Sequence, residues 1–380
     1  MSTSAVRPRN RMFLKDHFKL GIFSANCSSG MAVTKVPERW VNSWENNLRL
    51  AQMCDAAGLD FMLPIARWVG YGGETDFHHN VLETVTWAAG LLAGTERISV
   101  IATMHTAFNH PVVVAKQIAT IDQIGAGRAG LNIVAGWNKP EYDALGIQLP
   151  DDHETRYEYA QEWFEIVKKL WREKNRFDWN GKYFHLTQVH SDPKPVNGTP
   201  PIINAAGSKQ GRVFATRNAN FLFTSAVDLE RSRHEIIELK DQAKHYGREV
   251  DVLTFSYVVC RPTRKEAEDY HRYYVDENAD WKAVDNLMHL QLAHAQSFPH
   301  DLLMKIRRRF AGGHGGVPLI GTPQDVAEGI LKLHEVGFGG TTLAFVNYVD
   351  EFPYFRDEVL PLLEQAGIRL PNRELGADAA

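Results

Sequence analysis

Ile98-Ser99-Val100-Ile101-Ala102-Thr103, then Pro111 opening an apolar-periodic segment that runs to Gly125, then Gly130-Leu131-Asn132-Ile133-Val134, is the stretch that decides the fold. Two short runs rich in branched residues flank a segment of helical length. Proline suits the first turn of that helix and glycine its end. Strands joined through a helix run parallel. Working outward, the same unit recurs. Lys19-Leu20-Gly21-Ile22-Phe23 reads as the first strand, and Leu48, Ala51, Met53 and Ala56 as one face of a helix stopped by Gly58. Phe61-Met62-Leu63-Pro64-Ile65 is the second strand, and a helix from near Asn80 ends at Gly94-Thr95. Downstream come a long polar loop and an amphipathic helix around residues 157–171. Strand-like runs follow at 201–205, 220–223, 252–259 and 341–346.

Eight strands alternating with helices predict an α/β protein, a (β/α)8 TIM barrel. A doubly wound open sheet would alternate in the same way, and the strand count favours the barrel. Residues 1–380 read as one such domain. The segment 276–316 is too long for an ordinary connection and is helical in its periodicity from Trp281 to Ala295, so it reads as an insertion at the C-terminal mouth. Barrel enzymes work at the C-terminal ends of their strands, which makes residues just after each strand the functional shortlist.

Hydrophobic residues at 44% and charged residues at 23% suit a water-facing globular chain without a run of apolar residues fit to span a bilayer. The N-terminus lacks the apolar core of a signal peptide, so a cytoplasmic location is expected. The formal charge of −4 argues against a nucleic-acid surface, and the short basic run Lys305-Ile306-Arg307-Arg308-Arg309 reads as a solvated helix face. Cys27, Cys54 and Cys260 are too scattered for a zinc or redox motif, and no histidine-carboxylate spacing points to a metal.

Gly125-Ala126-Gly127-Arg128-Ala129-Gly130 matches the dinucleotide pattern in letters only. That fingerprint must leave a strand and open a helix, whereas this one closes a helix and enters a strand. His110 before Pro111 reads as a structural histidine, while His79 is open between packing and pocket lining. Gly207-Ser208-Lys209-Gln210-Gly211 follows a strand and starts a helix, a place for either a phosphate or an ordinary N-cap. Arg156-Tyr157 offers a cation and a phenol at a helix start. Asn132 is an amide inside an apolar strand and requires a hydrogen-bond partner. Thr103 can put a hydroxyl into the same space. No protein nucleophile or carboxylate pair is evident, which suits chemistry carried by a cofactor.

The runs Ala119-Thr120-Ile121-Asp122-Gln123-Ile124-Gly125-Ala126-Gly127-Arg128 and Asn132-Ile133-Val134-Ala135-Gly136-Trp137-Asn138-Lys139-Pro140-Glu141-Tyr142 resemble the bacterial luciferase-like flavin monooxygenases. Gly70-Tyr71-Gly72-Gly73, Asp151-Asp152, Gly321-Thr322-Pro323 and Val359-Leu360-Pro361-Leu362 support the likeness, which is nearest to the members acting on pyrimidines, dimethyl sulfone and alkanesulfonates. The resemblance implies a two-component enzyme. A separate NAD(P)H-dependent flavin reductase would supply reduced FMN, and O2 would oxidise a small organic substrate with cleavage of a carbon-heteroatom bond. A homo-oligomer is expected, with no nucleic-acid or membrane partner.

By the same resemblance, Ala66 and Arg67 meet the flavin ring edge, and Asn132 and Glu141 lie near the isoalloxazine. Arg156, Tyr157 and Ser208 serve ribityl and phosphate, while Arg128 keeps a structural role. Thr103 and Asn132 match positions that, in the pyrimidine members, hold O2 over flavin N5 and favour an N5-peroxide, while the sulfone members lack the threonine. Arg67 stands where pyrimidine members carry lysine and sulfone members arginine, which argues against a pyrimidine. His79, Phe223 and Asn347 are the expected substrate contacts, with the loop 24–34 and the insertion 276–316 as lids. A deazaflavin-dependent oxidoreductase on the same fold, or a non-catalytic flavin-binding barrel, is the alternative.

Overall fold

The computed structural model describes residues 10–291 and 300–372, so residues 292–299 of the expected insertion lie outside the described residues. In chain order the strands are β1 (Lys19–Phe23), β2 (Phe61–Leu63), β3 (Ser99–His105), β4 (Ala129–Val134), β5 (Phe177–Asn180), β6 (His185–Val189), β7 (Ile202–Ala205), β8 (Phe221–Phe223), β9 (Asp251–Cys260), β10 (Val317–Gly321) and β11 (Gly340–Ala344). Parallel pairing runs β1-β2-β3-β4-β7-β8-β9-β11 and back to β1, closing an eight-stranded barrel ringed by helices. The expected (β/α)8 fold is the fold found.

Two features escape the strand count. β10 pairs in parallel with the far half of β9, from Val317↔Ser256 to Gly321↔Cys260, and extends the sheet past the barrel rim. Pro318 lies within it, which an edge strand tolerates and a central one does not. β5 and β6 form an antiparallel hairpin whose polar residues conceal its alternation.

The barrel closes because its inward side chains interlock. Gly21 leaves room for the Phe61 ring, which an added Cβ would approach to 2.7 Å, and Gly130 leaves room for Ile101 Cδ1 at 2.3 Å. Phe61, Leu63, Ile101, Ile203, Phe221 and Leu253 fill the interior. Above them Phe23, Phe223 and Phe255 meet at centroid distances of 5.2–5.8 Å, forming a floor beneath the C-terminal mouth.

Outside the barrel each helix buries one face. In the helix His153–Arg172, capped by Asp152 accepting from Thr155 N at 2.7 Å, the residues Ala160, Trp163, Phe164, Val167 and Trp171 recur at helical spacing and are buried. Trp163 and Trp171 donate through Nε1 to the carbonyls of Asn109 and Ala115, locking this helix to Pro111–Ile124. The Gly125–Gly130 segment closes that helix and enters β4, and Arg128 donates four hydrogen bonds to Thr95 Oγ1 and the carbonyls of Leu92, Thr95 and Ile98. Arg128 is structural, as the resemblance implies.

A separate hydrophobic cluster sits over the mouth. It joins Val33 and Val36 from the first strand's loop, Tyr71 and Phe77 from the second, and Ala283, Val284, Leu287, Phe310 and Ala311 from the insertion helices Trp281–Gln291 and His300–Gly313. The two segments expected as lids thus pack together, with Thr34 bridging to Ala279. Within the basic run, Arg307 and Arg308 pair at the surface with Asp285 and Asp276. Arg309 turns inward to the carbonyls of Gly316 and Ala226, so that run also fastens the insertion to the barrel. Among the described residues no helix is long and apolar enough to cross a membrane.

Candidate active site at the barrel mouth

The ends of β2, β3, β4 and β7 converge on one polar group. Register sets Thr103 opposite Asn132, both inward, and Asn132 Nδ2 donates to Thr103 Oγ1 at 3.1 Å. The Thr103 hydroxyl in turn donates to the carbonyl of Pro64 at 2.7 Å. Asn132 Oδ1 is left buried without a partner, as is Asn204 Oδ1 on β7, whose Nδ2 donates to the Ile133 carbonyl.

Just past β2, Arg67 Nη1 meets Glu141 Oε1 at 2.9 Å, with side-chain exposures of 5% and 0%. Trp68 N donates to the same oxygen at 2.8 Å. Glu141 reaches this place because Pro140 starts the short helix Lys139–Ala144 directly beyond β4. The guanidinium also lies 5.0 Å from the Tyr71 ring centroid and 5.3 Å from that of Trp137. Arg67 Nε and Glu141 Oε2 have no partner. Burial opposes the charge on Arg67, but the nearby Tyr71 and Glu141 outweigh it, so the arginine is held protonated. Its field adds to burial in keeping His105 and His314 neutral, each pushed down to about 3.

A second group lies beyond β7. Ser208 caps the helix Lys209–Asn218, its hydroxyl accepting from Gly211 N at 3.2 Å. The Tyr157 phenol lies beside the side chains of Asn204 and Ser208, and a Cβ on Gly211 would fall 2.5 Å from its oxygen. Phenol and serine hydroxyl therefore lie at the N-terminus of this helix, a place suited to an anion. Arg156 is placed differently. Its Nε, Nη1 and Nη2 each donate to a backbone carbonyl, of Pro150, Gly136 and Asp151, so it clamps the loop before this helix.

Ala66, half-buried, lies beside Arg67. Phe223 belongs to the aromatic floor. His79 turns outward, its side chain 73% exposed and 3.4 Å from Asp76, while its neighbour His78 is wholly buried. Asn347 caps the helix Tyr348–Glu358, accepting from Val349 N and Asp350 N and donating to the Glu38 carbonyl, so its amide is committed. The inward residues that sequence reasoning missed are Tyr71, His78, His105, Asn204 and His314. Nothing in the pair His78-His79 says which ring faces in; His314 between two glycine pairs was the better signal.

An open cavity of about 630 Å3 lies at the opposite end of the barrel, lined by Phe13, His17, Lys19, Phe221, Asp251 and His334. Its buried cation Lys19 is already satisfied by the carbonyls of Leu14 and His17. The packed interior separates it from the mouth, where Asn132 Oδ1, Asn204 Oδ1, Arg67 Nε and Glu141 Oε2 are buried without partners.

The family model for luciferase-like monooxygenases matches residues 18–339. The chain belongs to that family. This luciferase-like monooxygenase is 29% identical over 358 residues to the FMNH2-dependent dimethylsulfone monooxygenase of Pseudomonas fluorescens (strain Pf0-1), covering 91% of this chain and 94% of the relative. It is 30% identical over 354 residues to the pyrimidine monooxygenase RutA of Acinetobacter baylyi, with 91% and 94% covered. The solved long-chain alkane monooxygenase LadA shares the fold of this monooxygenase at a TM-score of 0.83 and 20% identity, with 94% and 93% of the two chains covered.

Proposed function

We propose that this monooxygenase is a two-component enzyme that takes reduced FMN from a separate NAD(P)H-dependent reductase and uses O2 to oxidise a small organic substrate, cleaving a carbon-heteroatom bond. One observation carries the reading: the mouth holds a buried cluster whose polar atoms Asn132 Oδ1, Asn204 Oδ1, Glu141 Oε2 and Arg67 Nε lack protein partners. Each unpartnered buried group costs about 1–3 kcal/mol, so such a cluster is built for a ligand. Three of the four atoms are acceptors. They suit a reduced isoalloxazine, which carries more ring N–H groups than the oxidised form, and Arg67 Nε suits a ring carbonyl.

Bound reduced FMN supplies the electrons that activate O2. The chain contributes position and field. Ser208, Tyr157 and the N-terminus of Lys209–Asn218 would hold the phosphate, with Arg156 fixing the adjoining loop. Arg67, protonated and shielded from water, would stabilise negative charge at the ring. Asn132 has a second N–H to offer, and Thr103 donates once its hydroxyl leaves the Pro64 carbonyl. Floor and overlying cluster exclude water.

The test is oxygen uptake by the purified chain. Uptake requires a flavin reductase or chemically reduced FMN, and NADH alone is inert because no strand-to-helix dinucleotide fingerprint exists. NADH oxidation by the isolated chain, or reduced deazaflavin replacing FMNH2 with hydride transfer and no oxygen demand, would remove this reading.

A further inference from the structure

Above the mouth, two histidines from distant segments face each other. His78 lies on the loop after β2 and His314 just before β10; their rings are nearly parallel at 16° with centroids 5.7 Å apart, and Tyr71 lies within 6.0 Å of both. Both are buried, and both are non-glycine residues in the left-handed region, with φ 60° and 55°. Such strain persists only where the surroundings impose it, and it gathers at functional sites. Here the surroundings are visible. Asp280 accepts from Thr75 N and Oγ1, and Asn286 donates to the Tyr71 carbonyl, so the His78 loop is tied to the insertion.

The hydrogen-bond inventory states what the rings want. His78 Nε2 lies 2.5 Å from the Gly30 carbonyl, which only accepts, so Nε2 carries the proton and Nδ1 presents a bare lone pair. That Nδ1 has no partner. His314 Nε2 is likewise without a partner, as is the Tyr71 hydroxyl. Burial and the Arg67 charge keep both imidazoles neutral, so protonation does not remove the lone pairs.

Resting on the flavin reading above, we propose that His78 and His314 form the specificity pair of the substrate pocket, accepting hydrogen bonds from a substrate that carries an N–H or O–H donor, with the Tyr71 hydroxyl serving its neighbouring oxygen. The class this selects is amides, lactams, imides and hydroxylated molecules. Sulfones and alkanes, which offer no donor, leave both lone pairs buried and unsatisfied. Sites built to hydrogen-bond a substrate group discriminate strongly against analogues without it.

The test is calorimetric binding to the full chain, loaded anaerobically with reduced FMN, of cyclic amides and imides (2-pyrrolidinone, glutarimide), each beside its N-methyl counterpart, together with sulfolane and dimethyl sulfone. The N–H member of each pair should bind at least about tenfold tighter than its N-methyl form. His78→Gly and His314→Gly, chosen because glycine tolerates positive φ and carries no side-chain acceptor, should abolish that preference while leaving FMNH2 affinity unchanged. Sulfones or N-methyl forms bound as well as N–H forms, a panel that does not bind, or a preference that survives both substitutions would overturn the assignment. A fall in FMNH2 affinity in the variants would mean that the rings serve the flavin and would overturn it too. Failure of wild type to bind FMNH2 strikes the flavin reading itself and is read separately.

Discussion

Two buried ion pairs sit at opposite ends of this barrel, and they are built differently. At the N-terminal end Asp60 accepts from His17 Nε2 at 2.9 Å, Leu20 N at 2.8 Å and Arg369 Nη1 at 2.6 Å, while Arg369 also holds the Gly58 carbonyl and His17 Nδ1 accepts from Leu370 N. Both Asp60 oxygens are satisfied. At the C-terminal end Arg67 and Glu141 are equally buried, yet each keeps an atom without a partner. The closed network fastens both chain ends to the barrel base. The open one keeps a donor and an acceptor that the proposed flavin would complete, a difference in keeping with a fold that puts stability at one end and function at the other.

The largest expected effect breaks the closed network. Burial alone would raise the Asp60 carboxyl, but Arg369 and His17 hold it well below the ordinary range. Asp60→Asn leaves Arg369 buried without its counter-charge and should cost about 3–5 kcal/mol in urea unfolding. FMNH2 affinity of the folded fraction should not change. A loss of affinity would show that the two ends are coupled.

Acid should separate the ends without mutation. His105 and His314, pushed down to about 3, and His78, also lowered, stay neutral when folded but take up protons at an ordinary histidine pKa when unfolded. Their contribution to stability therefore falls as pH drops below about 6.5, by up to about 1.4 kcal/mol per pH unit for each. Asp60 has the depressed carboxylate case: its contribution is present above about 3.9 and is lost as pH falls through its folded value, below that range. Hydrogen exchange at pH 5 should accelerate around residues 70–80 and 310–316 before the segment 17–20. Equal acceleration at both ends would contradict the contrast.

Smaller effects sharpen the open end. Thr103→Val removes the hydroxyl that bridges Asn132 and the Pro64 carbonyl, and should lower product yield about 10²-fold with little change in FMNH2 affinity. A fully active variant would remove Thr103 from the oxygen chemistry. Ser208→Ala deletes an N-cap worth about 1 kcal/mol and should weaken FMNH2 binding about tenfold while leaving reduced riboflavin, which lacks the phosphate, unaffected. Equal weakening of both flavins would place the phosphate elsewhere.

The barrel was legible because the period of its strands and the glycine and proline punctuation are local signals. The segment 98–134 shows them most plainly. β10 was not counted because Pro318 argues against an ordinary strand, and the β5-β6 hairpin because polar residues mask its alternation. At the site, Arg67, Thr103, Asn132 and Glu141 could be named because they stand in or just after strands and within motifs. His78 was passed over for His79, since which neighbour turns inward depends on a left-handed backbone at His78 that local sequence does not encode. His314, on the insertion side, meets the mouth only through tertiary packing, and Arg156 offered no sign that backbone carbonyls would occupy its donors.

The central claim is that the unsatisfied polar atoms of the mouth are completed by reduced flavin. The most direct measurement is an anaerobic calorimetric titration of FMNH2 into wild type, Glu141→Gln and Asp60→Asn. The account predicts one FMNH2 per chain in wild type, affinity reduced at least about tenfold in Glu141→Gln, and wild-type affinity in folded Asp60→Asn. Undiminished binding to Glu141→Gln, or binding lost only in Asp60→Asn, would contradict it.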